Sequence, residues 1–296
     1  MGVPPVATYA ATVLFNFKGN YEELNEPEDF EIEFSFTGTE DEKWFYAVSA
    51  SIDVQSERII SCAARIFEEN VNFYEIGQEI KKSIQEMTRK MNKMYEKCRP
   101  EVFYGQVRKY LGGWLNDPKL PDGLVYDLGG DERSLKLKLA GGSAAQNPTI
   151  QLLDILLGVK HKEDSEDLMI SGFGSGFNGV GCPRMNYLGA MRTYMPREHC
   201  EYLNNLELKM KMINIIEKFR SCDSCGSCDS CGSCDSYGSC VRALINFRSE
   251  HIKMVARYII CQSKTSDGLP LGTGGSNPIQ FLKKCREETE ICLNKF

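Results

Sequence analysis

The sequence predicts a predominantly α-helical fold, and three observations support this prediction. From Trp44 onward apolar residues recur at helical spacing, whereas the sustained apolar–polar alternation typical of strands is almost absent. Prolines stand where predicted helices begin or end, at Pro100 and Pro196. The chain has 296 residues, of which 42% are hydrophobic, so it is long enough to bury a large core.

The charge pattern excludes two classes of partner. The net charge is −6, and basic residues alternate with acidic ones instead of forming a basic patch for nucleic acid. No stretch of the sequence approaches the roughly 20 apolar residues of a membrane span. We therefore expect a cytoplasmic protein that binds neither nucleic acid nor membranes, and we expect a monomer.

The first part of the chain, residues 1–43, is predicted to be a lead-in without long helices. Pro4 and Pro5 prevent an immediate helix, and an acidic, loop-like stretch surrounds a short alternation at residues 30–36. One helical domain is predicted over residues 44–296. Its predicted helices span residues 49–68, 76–98, 101–114, 149–157, 187–194, 198–219, 242–260 and 277–293.

Three segments between these helices are predicted to be irregular. Residues 117–139 contain prolines and several glycines and are predicted as a loop. Residues 160–183 are polar and glycine-rich, so we expect a flexible insertion that includes His161. Residues 221–240 repeat the hexad SCDSCG and are predicted as a second flexible insertion.

The hexad repeat holds six of the thirteen cysteines of the chain. Its overlapping C-x-x-C steps resemble the ligand spacing of zinc and iron–sulfur sites. A uniform string of Ser, Cys, Asp and Gly has no apolar anchor to hold such a geometry, so an expanded surface loop is favoured over a metal-storage role. The other cysteines are scattered through helical patterns and are predicted to be buried and reduced.

The most informative residue is His251, which lies on the apolar stripe of a helical segment. At helical spacing it falls on one face with Leu244, Phe247, Val255 and Tyr258. An imidazole in such a stripe must satisfy two ring nitrogens in an apolar environment. A bound metal would satisfy one of them, and the alternative is a core histidine bonded to a backbone carbonyl.

Arg248 stands one helical turn before His251 and therefore lies on the same side of the helix. Its guanidinium is suited to hold an anion beside a metal bound by the histidine. A metal that carries its own carboxylates suggests haem, whose propionates need cationic partners.

Four further motifs carry a family resemblance. They are GGSAAQ at 141–146, followed by Asp154 and LLG at 156–158; RTYMP at 192–196, followed by His199; FRSEH at 247–251; and GTGGS at 272–276, followed by Phe281, Leu282 and Arg286. In order and approximate spacing these motifs resemble the indoleamine 2,3-dioxygenase family. The resemblance covers nearly the whole chain from Val3 onward.

This resemblance implies an all-α, haem-binding fold with haem b as the cofactor. His251 would be the proximal iron ligand, which leaves the opposite face of the iron open for O2. Arg248 would pair with a haem propionate. Gly142, Ser143 and Ala144 would let the backbone lie close to the porphyrin edge.

The resemblance also assigns a substrate pocket. Its distal lining would be Tyr9, Thr12, Val13, Phe45 and Ser49. Phe103 would form an aromatic wall, Arg108 would receive the substrate carboxylate, and Thr273 would complete the amino-acid site. On an α-helix the five-residue spacing leaves Phe103 and Arg108 about 140° apart, so facing one pocket requires a departure from α-helical geometry.

Other polar residues near these motifs are given structural roles. Asp154 is expected to bond locally, and His199 to pack or be solvated at a helix end. The implied reaction needs no dedicated base, so no catalytic residue beyond the haem iron is expected.

The implied reaction inserts both atoms of O2 across the indole C2–C3 bond of L-tryptophan or a related indole, giving N-formylkynurenine, the first step of the kynurenine pathway. An alternative is an O2-binding protein without turnover, because some molluscan myoglobins resemble the same family. Family members also carry a small N-terminal helical domain. The resemblance begins after that domain, so residues 1–43 are interpreted as the remnant of an inter-domain segment.

Overall fold

The computed structural model describes residues 2–115, 117–127, 129, 134–162, 186–223, 235–263, 272–273 and 277–295. Over these residues the protein is mainly α-helical, as predicted. The helices are α1 (Glu40–Asp53), α2 (Ser56–Arg65), α3 (Phe73–Asn92), α4 (Met94–Lys97), α5 (Pro100–Val102), α6 (Arg108–Leu111), α7 (Pro148–Leu156), α8 (Tyr187–Arg192), α9 (Arg197–Lys211), α10 (Ile215–Asp223), α11 (Ser236–Val255) and α12 (Pro278–Glu290). None of the helices in the described part combines the length and apolar character needed to cross a bilayer.

Three π-helical turns occur among the described residues, and two of them adjoin α-helices. They span Ala10–Leu14, Phe103–Val107 and Ala256–Ile260. Short 3₁₀ turns occur at Pro27–Asp29, Ala144–Gln146 and Leu293–Lys295. π-turns are rare overall but are often found at functional sites. Each of the three π-turns contributes residues to the cavity described below.

Some predicted helix boundaries are wrong. The predicted helix 49–68 is two helices, because α1 begins at Glu40 and ends before α2. The Thr39 side chain accepts a hydrogen bond from the amide of Glu42 and caps α1. Three acidic residues follow in the first turn, where the helix dipole favours negative charge, and this acidic start reads as a loop in the sequence.

Two short antiparallel hairpins correct the expectation of an almost strand-free chain. Strands β1 (Phe17–Lys18) and β2 (Glu31–Ile32) pair with Phe17 opposite Ile32. Strands β3 (Leu124–Asp127) and β4 (Ser134–Leu137) pair with Leu124 opposite Leu137, inside the segment predicted as a loop. Most side chains of these strands are at least partly exposed, so the sequence has no apolar alternation that would reveal them.

The centre of the fold is the packing of α11 against α3 and α12. Ile76, Ile80, Ile84 and Met87 form one fully buried stripe of α3. The facing stripe of α11 includes Leu244, so the face predicted for α11 is the buried one. This arrangement fixes the axis from which His251 projects.

Both predicted insertions are shorter than the sequence indicates, because residues at the ends of the two segments belong to the packed fold. Residues 163–183 and 224–234 lie outside the described residues, but His161 is packed into the fold. The last part of the hexad repeat is the buried start of α11. There Tyr237 donates a hydrogen bond to the carbonyl oxygen of Leu157 at 2.7 Å, and the Cys240 thiol contacts the carbonyl oxygen of Gly77 at 2.9 Å.

Candidate functional site

A cavity of about 270 Å³ opens between α1, α11, the segment 103–111 and the glycine-containing loops. Small-molecule and cofactor sites have volumes that begin near 300 Å³, so this cavity lies close to the lower end of that range. Its wall is mostly apolar. The sequence-predicted residues that line it are Tyr9, Thr12, Val13, Phe45, Ser49, Phe103, Arg108, Gly142, Ser143, Ala144, Arg248, His251 and Thr273. The structure thus brings every predicted site residue to one cavity.

His251 projects from α11 into this cavity and is only partly buried by protein. Among the described residues, no hydrogen bond reaches either nitrogen of its ring. Burial, and secondly the positive charge of Arg248, lowers the pKa of His251 to about 4. The imidazole is therefore neutral at pH 7 and has a lone pair available, which is the state that binds a metal.

The π-turn at Phe103–Val107 resolves the angular problem of Phe103 and Arg108. Within this turn the amide of Arg108 bonds the carbonyl of Phe103, five residues earlier. A π-turn has a wider repeat than an α-helix, so residues five apart come close to the same face. Both side chains consequently line the cavity.

An aromatic wall is built around Phe103. Its ring centroid lies 4.8 Å from that of Phe45 and 5.8 Å from that of Tyr258, the latter in an edge-on arrangement. Tyr258 is fixed by a hydrogen bond from its hydroxyl to the carbonyl oxygen of Cys98 at 2.5 Å. Edge-on and tilted ring pairs are favourable beyond their area burial, so this wall is a rigid apolar surface for a flat ligand.

The segment 140–143 passes between the end of α6 and Thr273. The amide of Gly142 bonds the carbonyl oxygen of Leu111 at 3.1 Å, and the amide of Gly141 bonds the carbonyl oxygen of Thr273 at 3.0 Å. A Cβ at Gly141 would collide with the Leu111 carbonyl. The glycine at 141 is therefore required for contact with the protein backbone, and a Cβ at Gly142 would likewise meet the carbonyl oxygen of Ala7 at 2.8 Å. Gly142, Ser143 and Ala144 also line the cavity.

Tyr9, which also lines the cavity, is held by the carboxylate of Asp53. The Tyr9 hydroxyl donates to Asp53 at 2.6 Å, and Asp53 also accepts from Asn147 and Thr149 at 2.9 Å each. Burial raises the pKa of Asp53 to about 6. The sequence analysis did not identify Asp53, because an acidic residue near the end of a helix carries no signal of a partner 44 residues away.

Arg248 lines the cavity, yet most of its guanidinium is engaged by the protein. One terminal nitrogen bonds both carboxylate oxygens of Asp154 at 2.6 and 2.7 Å, and the other bonds the Cys285 carbonyl and the Thr289 hydroxyl. The Nε–H is the group that has no bond to a described residue. The pairing of Arg248 with a haem propionate stays a prediction. Only the Nε–H of Arg248, or the net positive charge of its guanidinium, could interact with the propionate.

Asp154 does not bond locally, contrary to the sequence prediction. Its partner Arg248 is 94 residues away, and Asp154 also bonds Nε2 of His161 at 3.0 Å. Nδ1 of His161 lies 2.6 Å from a carboxylate oxygen of Glu288 on α12. Burial alone would lower the pKa of His161, but its bonds to these two carboxylates and to Cys285 raise it to about 11. We name Arg248, Asp154, His161 and Glu288 the polar cluster.

His199 lies within the first turn of α9 and outside the cavity lining. Burial lowers its pKa. This position agrees with the packing role predicted for it. Further cavity residues that the sequence analysis missed are Met91, Met94, Asn147, Ile150, Tyr187 and Leu188. Their signal in the sequence is ordinary helical periodicity, which cannot separate cavity walls from core.

Comparison with known proteins gives a consistent family match. The family model described as indoleamine 2,3-dioxygenase matches residues 1–292. An indoleamine 2,3-dioxygenase of Saccharomyces cerevisiae is 31% identical over 98% of this chain and 68% of its own length. Indoleamine 2,3-dioxygenase 2 of Mus musculus is 30% identical over 99% of this chain and 69% of its own length. The resemblance indicated by the sequence motifs is confirmed along the chain.

Proposed function

Since this chain belongs to the indoleamine 2,3-dioxygenase family, we propose that it binds haem b through His251 and inserts both atoms of O2 across the indole C2–C3 bond of L-tryptophan, giving N-formylkynurenine. The single observation that supports this proposal best is the imidazole of His251. It faces a large apolar cavity and has no protein partner among the described residues.

The residues present fit a haem. A neutral imidazole is a suitable axial ligand for iron, and the apolar walls fit a porphyrin. His251 would hold the iron, and Gly142, Ser143 and Ala144 would lie along the edge of the ring. Haem iron would supply O2 binding and the redox chemistry of the reaction.

The protein's own residues bind and orient the substrate. The π-turn brings Arg108 to the cavity, where its guanidinium would receive the carboxylate of an amino acid, and Thr273 would complete the amino-acid site. The wall of Phe103 and Phe45 would pack against the indole ring of the substrate.

The remaining lining residues exclude water and shape the distal pocket. Thr12, Val13 and Ser49 lie at the cavity wall, and the Ser49 hydroxyl donates to the carbonyl oxygen of Phe45 at 2.8 Å. The bond satisfies the hydroxyl within its own helix, so Ser49 presents a compact surface to the pocket.

Product formation tests the proposal. The purified chain would be supplied with haem b, a reductant, O2 and L-tryptophan, and N-formylkynurenine would be measured by mass spectrometry. We expect turnover that depends on both haem and tryptophan. Reversible O2 binding without product would contradict the dioxygenase activity and favour the myoglobin-like alternative.

A further inference from the structure

A second group of ligand-type side chains lies beside the cavity, outside the His251 site. His161, Cys285 and Glu288 each present one ligand atom, and these atoms all lie within 4.8 Å of one another. Cys285 and Glu288 are one helical turn apart on α12, and His161 reaches them from the loop after α7. Both α12 side chains are buried, so this is not a surface cluster of acidic groups.

Asp154 prepares His161 for metal binding. Its carboxylate accepts a hydrogen bond from Nε2 of the ring at 3.0 Å, so Nδ1 is the nitrogen that can bind a metal once it has lost its own proton. The other nitrogen, Nδ1, points to Glu288. A carboxylate that orients a ligating histidine through its second nitrogen is the usual arrangement of protein metal sites.

The cluster adjoins a cavity of about 10 Å³, lined by its three ligand residues and by Asn186 and Lys284, among others. A volume of this size holds about one water molecule or one ion. The cavity is partly open to solvent, which gives an ion a route of entry and leaves room for a water ligand.

The donor set selects the metal. One nitrogen, one sulfur and one oxygen donor suit zinc, whereas Ca²⁺ and Mg²⁺ prefer oxygen donors alone. In a tetrahedral zinc site neighbouring ligand atoms lie about 3.4–3.6 Å apart. Nδ1 of His161 and the Glu288 oxygen are 2.6 Å apart. A bound zinc ion would therefore replace the hydrogen bond between these two atoms and move them slightly further apart.

We propose that His161, Cys285 and Glu288 bind a zinc ion that joins α12 and the loop after α7 next to the wall of the haem cavity. Water would be the fourth ligand. Asp154 and Glu288 supply negative charge, and on zinc binding the Cys285 thiol and Nδ1 of His161 would each release a proton to solvent. Arg248 and Lys284 are the nearby cations, and both already bond other groups.

The test uses the full-length chain with the repeat cysteines Cys222, Cys225, Cys228, Cys231 and Cys234 replaced by serine, because those thiols would capture zinc themselves. Zinc content is measured by mass spectrometry after dialysis against buffered zinc. Zinc-edge X-ray absorption then reports the ligand atoms. We expect about one zinc per chain with one sulfur neighbour near ~2.3 Å.

Matched variants assign the site. C285S should lose the sulfur signal, and H161Q should reduce the zinc content. C261S, which changes an exposed free cysteine, should leave both unchanged. Zinc with no sulfur ligand, or zinc content in C285S equal to that of the parent chain, would overturn the proposal.

The E288Q variant separates a loss of zinc binding from misfolding, because the substitution keeps the size of the side chain and removes only its charge. Its helicity should match the parent chain by circular dichroism, and its zinc affinity should fall at least tenfold. Unchanged affinity would refute the site. Both readouts are independent of haem and of turnover, so failure of this proposal leaves the dioxygenase proposal standing.

Discussion

Two histidines near the same cavity experience opposite environments. His251 has no hydrogen-bonding partner among the described residues, and burial followed by the charge of Arg248 lowers its pKa to about 4. In the polar cluster, His161 lies between two carboxylates, and its pKa is raised to about 11 against the effect of burial. The first is a neutral base at pH 7, and the second is a cation when no metal is bound.

This difference shows how one residue type takes two roles within one protein. Burial disfavours the charged form of both rings, so the deciding factor is whether carboxylates lie within hydrogen-bond distance. The polar cluster supplies them to His161. Among the described residues that line the cavity there is no carboxylate to bond His251, whose lone pair stays available.

A substitution of Asp154, at the centre of the polar cluster, should have the largest effect on stability. D154N leaves the buried Arg248 guanidinium without its carboxylate, and removal of one partner of a buried ion pair costs about 3–5 kcal/mol. Chemical denaturation at pH 7 measures this loss. E201Q, in the exposed pair with Arg197, is the control and should change stability by less than about 1 kcal/mol. Equal stability of D154N and the wild type would contradict the role given to Asp154.

The next effect is a pH dependence caused by His161. Because its folded-state pKa, about 11, lies above the ordinary value of 6.5, its protonated form stabilises the fold. That contribution is complete below pH 6.5 and is lost as pH rises towards 11. H161Q should therefore be less stable than the wild type by about 1.5–3 kcal/mol at pH 6, with a gap that narrows in alkaline solution.

Denaturation of both proteins at several pH values in the presence of a zinc chelator measures this gap. The chelator prevents a metal ion from replacing the proton on Nδ1 of His161. A gap that stays constant from pH 6 to 10 would show that His161 acts through packing and not through its charge.

A smaller effect is expected in substrate recognition. R108Q would remove the proposed charge-assisted bond to the substrate carboxylate, so kcat/KM for L-tryptophan should fall about 10- to 100-fold. Tryptamine lacks the carboxylate and serves as a matched substrate. The same variant should use tryptamine no worse than the wild type does. An equal loss with both substrates would assign Arg108 to the fold instead of recognition.

The sequence predicted the helical class and the buried face of α11, and the family resemblance of its motifs pointed to part of the cavity lining. These predictions rely on periodicity and on motifs read within one segment. The boundary of α1 was missed because an acidic first turn stabilises a helix while resembling a loop. The five-residue step from Phe103 to Arg108 was recognised as a problem, but its solution by a π-turn depends on backbone hydrogen bonds that no spacing reveals.

The polar cluster could not be predicted for a different reason. Asp154, His161, Arg248 and Glu288 come from four separate segments, and Arg248 lies 94 residues from Asp154. Pairing over that distance is decided by the packing of α7, α11 and α12. A single sequence therefore identifies Arg248 as a cation near a ligand, but it does not show which anion holds it.

The measurement that tests the central claim most directly is the absorption spectrum of the haem-supplemented H251A variant. The account predicts that the wild type shows a Soret band of bound haem, that H251A loses it, and that H199A, at a half-buried histidine outside the cavity, keeps it. A Soret band of wild-type intensity and position in a folded H251A protein would contradict the assignment of His251 as the iron ligand.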